Sequence, residues 1–183
     1  TRSGKGTRLF NINLDSEDSS TVRFGRGIGS ITLADSSTFL FVGLSSGEVC
    51  GFYLNKKGLL ERACTLKGCM SAVTAVAGDK MISSLIAASD ESGNLIVWAY
   101  RGQSWEVVYR YRDKDEDYCC SLGMRGRLAI AGHSSGKVTF HDVEESQKLA
   151  ETVTNSKGIT SIDVHPTRDI FLVTGEDCRA SIL

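Results

Sequence analysis

The chain contains a single proline, Pro166, in 183 residues. Its turns must therefore be built from its 19 glycines and from serine, aspartate and asparagine. That composition suits a meander of short hairpins. Charge bias is also missing: 21 basic against 22 acidic residues give a formal net charge of −1. No basic field is present to hold a nucleic acid or an anionic membrane. No apolar run reaches the 18 or so residues that span a bilayer. There is no signal-peptide pattern and no initiator methionine, so Thr1 reads as a cut end. None of the six cysteines forms a Cys-x-x-Cys pair. Free thiols in a reducing compartment are expected, with an intracellular location, in the cytoplasm first and the nucleus as the alternative.

What is present is a repeat. Gly47 in VGLSSGEVCGF, Gly93 in ASDESGNLIVW and Gly136 in AGHSSGKVTFH align, and Cys178 of TGEDCRASIL takes the same place. A bulky residue follows each after five positions: Phe52, Trp98, His141 and Leu183. Upstream, Ile28–Ile31, Val73–Val76, Cys119–Leu122 and Ile159–Ile162 form a second register. FLFVG at 39–43, LIAAS at 85–89, LAIAG at 128–132 and FLVTG at 171–175 form a third. A less regular fourth segment occurs at 59–66, 105–112 and 148–154. Four short strands in some 43 residues are the signature of a propeller blade.

These units resemble WD repeats, the WD40 family of β-propellers. SDESGNLIVW at 89–98 is similar to that family's turn and third strand, with Trp98 at the tryptophan position. HSSGKVTFHD ends in His141-Asp142 where the family often has Trp-Asp, and ITSIDVHPTRDIFLVTGEDC resembles its first two strands. The fold expected is all-β: about four four-stranded antiparallel blades, a fragment of a larger propeller of seven or a similar number of blades. The units expected are residues 28–67, 68–112, 113–158 and a partial blade at 159–183, with 1–27 supplying the last two strands of a preceding blade. Many WD repeats tie each blade with a buried Asp, His, Ser/Thr and Trp set. The matching aspartate positions hold Ser46, Ser92 and Ser135, and only Asp177 keeps the acid. The network is therefore expected to be incomplete, and the blades to rely on apolar packing.

GHSSGKVTFHDV at 132–143 also holds the letters of an active site. A triad needs nucleophile, base and orienting acid within hydrogen-bond reach. Alternation in the strand KVTFH places Val138 and Phe140 on one face and Lys137, Thr139 and His141 on the other, with Asp142 turned away from His141. Catalysis by a His133/His141/Asp142/Ser134 cluster is an outlying alternative, as is a metal at His141. His141→Trp is expected to leave function unchanged. The glycine spacing around Gly132 and Gly136 fails the phosphate-loop pattern. In WEVVYRYRDKDED at 105–117, Tyr109 and Tyr111 alternate with Arg110 and Arg112, and a solvated outer strand is expected. No enzyme activity, cofactor, metal or small-molecule substrate is expected.

The resemblance implies a scaffold that binds other proteins through the propeller's turn face. The residues matching that face are Arg26, Asp90, Glu91, His133, Asp115, Glu116 and Glu176. Their balance is acidic, which suits a basic peptide or protein surface. Self-association through open blade edges is a further expectation, and a place in a ribonucleoprotein or nucleic-acid-associated complex is the second reading.

Overall fold

The computed structural model describes residues 27–34, 39–55, 60–79, 84–114 and 117–183, with Leu54 by its backbone alone. The expected strands at 8–14 and 20–24 lie outside the described residues, as do Arg26, Asp115 and Glu116.

The described residues form fifteen strands in four antiparallel sheets, and no helix. The first blade is the meander β1 (Ile28–Ala34), β2 (Phe39–Leu44), β3 (Glu48–Leu54) and β4 (Leu60–Lys67). The second is β5 (Val73–Gly78), β6 (Leu85–Asp90), β7 (Asn94–Arg101) and β8 (Ser104–Arg112). The third is β9 (Cys119–Arg125), β10 (Leu128–His133), β11 (Lys137–Asp142) and β12 (Gln147–Val153). The fourth has three strands, β13 (Ile159–Val164), β14 (Phe171–Gly175) and β15 (Ala180–Ile182). The inner strands pack in chain order, β1 on β5, β5 on β9 and β9 on β13. This is a four-bladed β-propeller.

The repeat is geometric as well as sequential. Each inner strand carries an irregularity at the same place, around Gly29, Thr74, Cys120 and Thr160. A second irregularity recurs where Phe52, Trp98 and His141 sit, and all three side chains are fully buried. One register differs from the sequence reading. Val173 pairs with Ile162 as Ala131 pairs with Leu122, Ala88 with Val76 and Val42 with Ile31. Val173, and not Thr174, is thus the counterpart of Val42, and the fourth copy is offset by one residue from the LAIAG alignment. Two apolar runs differing by one residue look alike in sequence, whereas a one-residue slip in a sheet exchanges its faces. Cys178 keeps its place, with φ of 63° where Gly47, Gly93 and Gly136 have 80°, 75° and 85°. At Gly136 no side chain fits: a Cβ would lie 2.1 Å from the Asn155 carbonyl oxygen.

Packing between blades is apolar. Phe41, Val49, Val73, Val76, Ile86 and Trp98 fill the first joint; Ala87, Leu95, Val97, Leu122, Met124 and Ala131 fill the second; Ile130, Val138, Ile159, Ile162 and Val173 fill the third. At the ends of the series this surface is open. Ile28, Ile31 and Leu33 of β1 are about half exposed, although their counterparts Val73, Val76, Cys119, Leu122, Ile159 and Ile162 are buried. Leu172 and Ile182 are exposed on the fourth blade, although their counterparts Ile130 and Val97 are buried.

Candidate protein-interaction face and the buried histidine relay

The turns joining second to third strands and the loops entering the inner strands lie side by side. Backbone bonds link them: Ser45 N donates to Gly27 O, Glu91 N to Ala72 O, Ser134 N to Tyr118 O and Glu176 N to Gly158 O. In three blades one aspartate fastens this pairing, each time from a different point in the chain. Asp90, at the end of β6, accepts from Met70 N, Ser92 N, Asn94 N and the Asn94 amide. Asp117, in the loop before β9, accepts from the Ser134 and Ser135 hydroxyls and from Ser135 N. Asp177, in the turn itself, accepts from the Asn155 amide, Ser156 N and Arg179 N. Burial would raise the Asp117 carboxyl, but bonds from Ser135 and Ser134 and the nearby His133 outweigh it and hold it low. The Asn155 amide and Ser156 hold Asp177 well below the usual carboxylate range.

The tie expected to be incomplete is thus made, in the second and third blades by acids displaced along the chain and in the fourth by Asp177, the acid the sequence keeps in place. This corrects two of the proposed contact residues. Asp90 is fully buried and its carboxylate is consumed by the turn. His133 is 3% exposed and points inward. Glu91 and Glu176 do stand on the turns, exposed. The acidity of the loop at 113–117 is also reduced: Lys137 reaches Asp113 at 2.7 Å and Asp117 at 3.6 Å, all three largely buried.

His133 begins a chain of hydrogen bonds through the third blade. Its Nδ1 lies 3.0 Å from the Asp117 carbonyl oxygen and its Nε2 2.8 Å from Thr139 Oγ1. Thr139 Oγ1 lies 2.8 Å from His141 Nε2, and His141 Nδ1 lies 2.9 Å from the Tyr109 hydroxyl of the second blade. A carbonyl only accepts, and burial keeps both imidazoles neutral, which together orient every proton in the chain. His133 Nδ1–H donates to Asp117 O, and its Nε2 accepts from the Thr139 hydroxyl. Thr139 accepts from His141 Nε2–H, and His141 Nδ1 accepts from Tyr109 O–H. The two imidazoles are therefore of opposite tautomer. Burial, then the neighbouring His133 and Lys148, pushes His141 down to about 4, and burial lowers His133. Burial pushes Tyr109 up to about 12, so it remains a donor.

The residues of the imagined triad are thus not brought together. Ser134 Oγ donates to Asp117, not to an imidazole. Asp142 faces away from His141, accepts from Glu144 N and Glu145 N, and pairs with Arg127. On the outer strand β8, Arg110 and Arg112 are exposed as expected, whereas the Tyr109 and Tyr111 rings pack on His141. Among the described residues no buried side-chain nitrogen or oxygen lacks a hydrogen-bond partner. The cysteines form no disulfide, and burial pushes the Cys69 and Cys119 thiols up to about 12, which keeps them protonated and unreactive. Sequence reasoning missed Asp117, Thr139 and Tyr109. The available signals were the six-residue spacing of His133 and Thr139, and the shared strand face of Thr139 and His141.

No family model matches the chain. Eukaryotic translation initiation factor 3 subunit I of Kluyveromyces lactis is 23% identical over 117 residues, covering 58% of this chain and 34% of that protein. Among solved structures, the WD40 repeats of RRP9 match with a TM-score of 0.72 and 14% identity, over 84% of this chain and 46% of that one. U3-55K matches with a TM-score of 0.73 and 12% identity, over 87% and 52%. The computationally designed protein Ika4 matches with a TM-score of 0.71 and 14% identity, over 97% and 98%. The chain spans about a third of the curated relative and about half of the RRP9 and U3-55K chains. In fold, the chain is a β-propeller of the WD40 type.

Proposed function

We propose that the protein is a non-catalytic scaffold that holds partner proteins within a larger complex through the turn face of the propeller. One observation carries the reading: among the described residues the histidines and hydroxyls of the 132–143 stretch are absorbed by internal hydrogen bonds, while the turns leave Glu91 and Glu176 to solvent. The likeness to a subunit of a multi-subunit factor supports the same role. The partner surface is basic, and rim charges of this kind act chiefly on association rate. Six free cysteines suit a reducing compartment, and the cytoplasm is proposed. The order of units, through FGRGIGSI, FVGLSSGEV and VTGEDC, also resembles WD repeat-containing protein 54, a narrower likeness that identifies no partner.

The test is a paired charge reversal. Glu91→Lys with Glu176→Lys is expected to leave stability within about 0.5 kcal/mol and to slow association with basic partners, read by surface plasmon resonance. Unchanged capture of every partner would count against the acidic turn face. Asp90→Ala, by contrast, is expected to cost roughly 2–4 kcal/mol, because it strands several buried donors. The second reading, a ribonucleoprotein component, is favoured by the translation-factor likeness alone. A steep fall of RNA affinity with salt would support it, since phosphate contacts release counterions.

Self-association belongs to the same proposal, and the open apolar faces at β1 and at β14–β15 support it. Sedimentation of the 19.8 kDa chain is expected to show a species of twice that mass that dissociates in Ile31→Asp and Ile182→Asp. A single 19.8 kDa species throughout would refute it.

A further inference from the structure

The clefts between the outer strands of neighbouring blades occupy equivalent places in the repeat but carry different side chains. The cleft between the first and second blades has a volume of about 600 Å³ and is lined by Phe39, Tyr53, Trp98, Tyr100, Trp105 and Val107. In the next cleft round, of about 490 Å³, Leu85, Ala99 and Val143 stand where Phe39, Tyr53 and Tyr100 stand in the first. Its rim carries Arg101, Glu106, Arg127 and Glu144. A repeat that only needed to join its blades would treat both clefts alike. The first has been given a cluster of aromatic rings, two of its apolar residues exposed: Tyr100 at 47% and Val107 at 39%. The rings are fixed. Trp105 meets Phe41 edge-on at 5.5 Å and lies 5.4 Å from Tyr100, and Trp98 is fully buried.

The opposite wall is the outermost strand of the first blade. Five consecutive residues of β4, Ala63 to Lys67, line the cleft. Side chains of a strand alternate between faces, so five in succession can border one cavity only if the strand's own edge forms the wall. Among the described residues β4 pairs with β3 alone. An unpaired row of backbone groups beside an apolar, aromatic pocket is the arrangement that accepts an added strand, the backbone giving affinity and the pocket specificity. The volume is within the range of specific ligand sites.

We propose that this cleft docks an extended peptide of a partner protein, which adds a strand to the edge of β4 and seats one bulky apolar side chain among Phe39, Tyr53, Tyr100 and Trp105. It lies apart from Glu91 and Glu176, so either surface can fail without the other. The chain's two tryptophans, Trp98 and Trp105, both line the cleft, and intrinsic fluorescence therefore reports on it directly. The probes are soluble acetylated pentapeptides of β-branched residues with Phe, Tyr, Trp, Leu, Met or Ala at the centre, titrated into the 183-residue chain. For the non-tryptophan probes the protein's own emission is read; the Trp-centred peptide is followed by its displacement of the Phe-centred one.

At least one bulky-centred peptide is expected to give a saturable emission change, with the alanine-centred peptide about tenfold weaker or more. N-methylation of alternate peptide bonds, which removes the strand-pairing donors, is expected to abolish it. Tyr100→Glu with Val107→Glu is expected to abolish it too, with the circular dichroism spectrum unchanged, since both residues are exposed. The proposal is overturned if no peptide saturates, if the double variant binds as well as the parent, or if N-acetyl-phenylalanine amide binds as tightly as the pentapeptides, which would mark a small-molecule pocket.

Discussion

Thr139→Val is expected to lower the free energy of unfolding by roughly 2–5 kcal/mol, measured as a shift in denaturant midpoint at constant m-value. Valine matches threonine in shape, so no cavity is made, and the whole effect is electrostatic. The hydroxyl is the group that links the two imidazoles, donating to one and accepting from the other. Without it His133 Nε2 loses its donor and His141 Nε2–H its acceptor, at positions sealed from water. Neither ring can adjust by changing tautomer. His133 must keep its proton on Nδ1 for the Asp117 carbonyl, and a proton moved to His141 Nδ1 would only leave its Nε2 an unpaired acceptor in place of an unpaired donor. Tyr109→Phe, which removes only the last bond, is expected to cost about 1–2 kcal/mol. His141→Trp is no longer a neutral change. An indole only donates, so it would leave the Tyr109 hydroxyl without an acceptor, and it must fit where the imidazole already lies 4.6 Å from the Tyr111 ring.

Acid should weaken the fold well before the carboxylates titrate. His141 has a pKa of about 4 in the folded chain against the ordinary 6.5. The folded state thus binds fewer protons than the unfolded one between these values, and lowering pH favours unfolding. The contribution is fully present above about pH 6.5 and falls by about 1.4 kcal/mol per pH unit below it, a loss of roughly 2 kcal/mol by pH 5 and roughly 3 kcal/mol by pH 4. His133, lowered mainly by burial, acts in the same direction. The charged groups facing the pair are Lys137 and Lys148 on one side and Asp113 and Asp117 on the other. Asp117 and Asp177, both held low, add a further loss only below the usual carboxylate range. Chemical denaturation at a series of pH values between about 5 and 8 measures this. A flat profile across that window would show that the imidazoles are not buried as neutral groups.

The blades were legible because their signals are local. The turn glycines need a positive φ, the apolar runs are short and continuous, and both recur at intervals close to the length of one blade. Two of the three polar ties were not legible, because in the second and third blades the acid keeps its place in space and not in register, whereas Asp177 stands in the turn position where the repeat puts it. Reading Ser46, Ser92 and Ser135 as lost acids was correct position by position. Yet Asp90 does the work from two residues before Ser92, and Asp117 from the loop across from Ser135. A carboxylate has only to reach the turn, and several chain positions border each turn. Tyr109 was hidden for another reason. Its alternation with arginine resembles a solvated strand, and only the packing of the third blade on the second shows that its ring faces His141. The face of a strand is written in its own sequence; the neighbour it meets is not.

The most direct measurement is the side-chain ¹⁵N spectrum of the histidines, followed through a pH titration. His133 is expected as the Nδ1–H tautomer and His141 as the Nε2–H tautomer, both neutral at pH 7, with His141 staying neutral until close to pH 4. His165, the third histidine, is exposed. If His133 or His141 were charged at pH 7, or both showed the same tautomer, the closed relay would be disproved, and with it the reason for placing this protein's function on its surface.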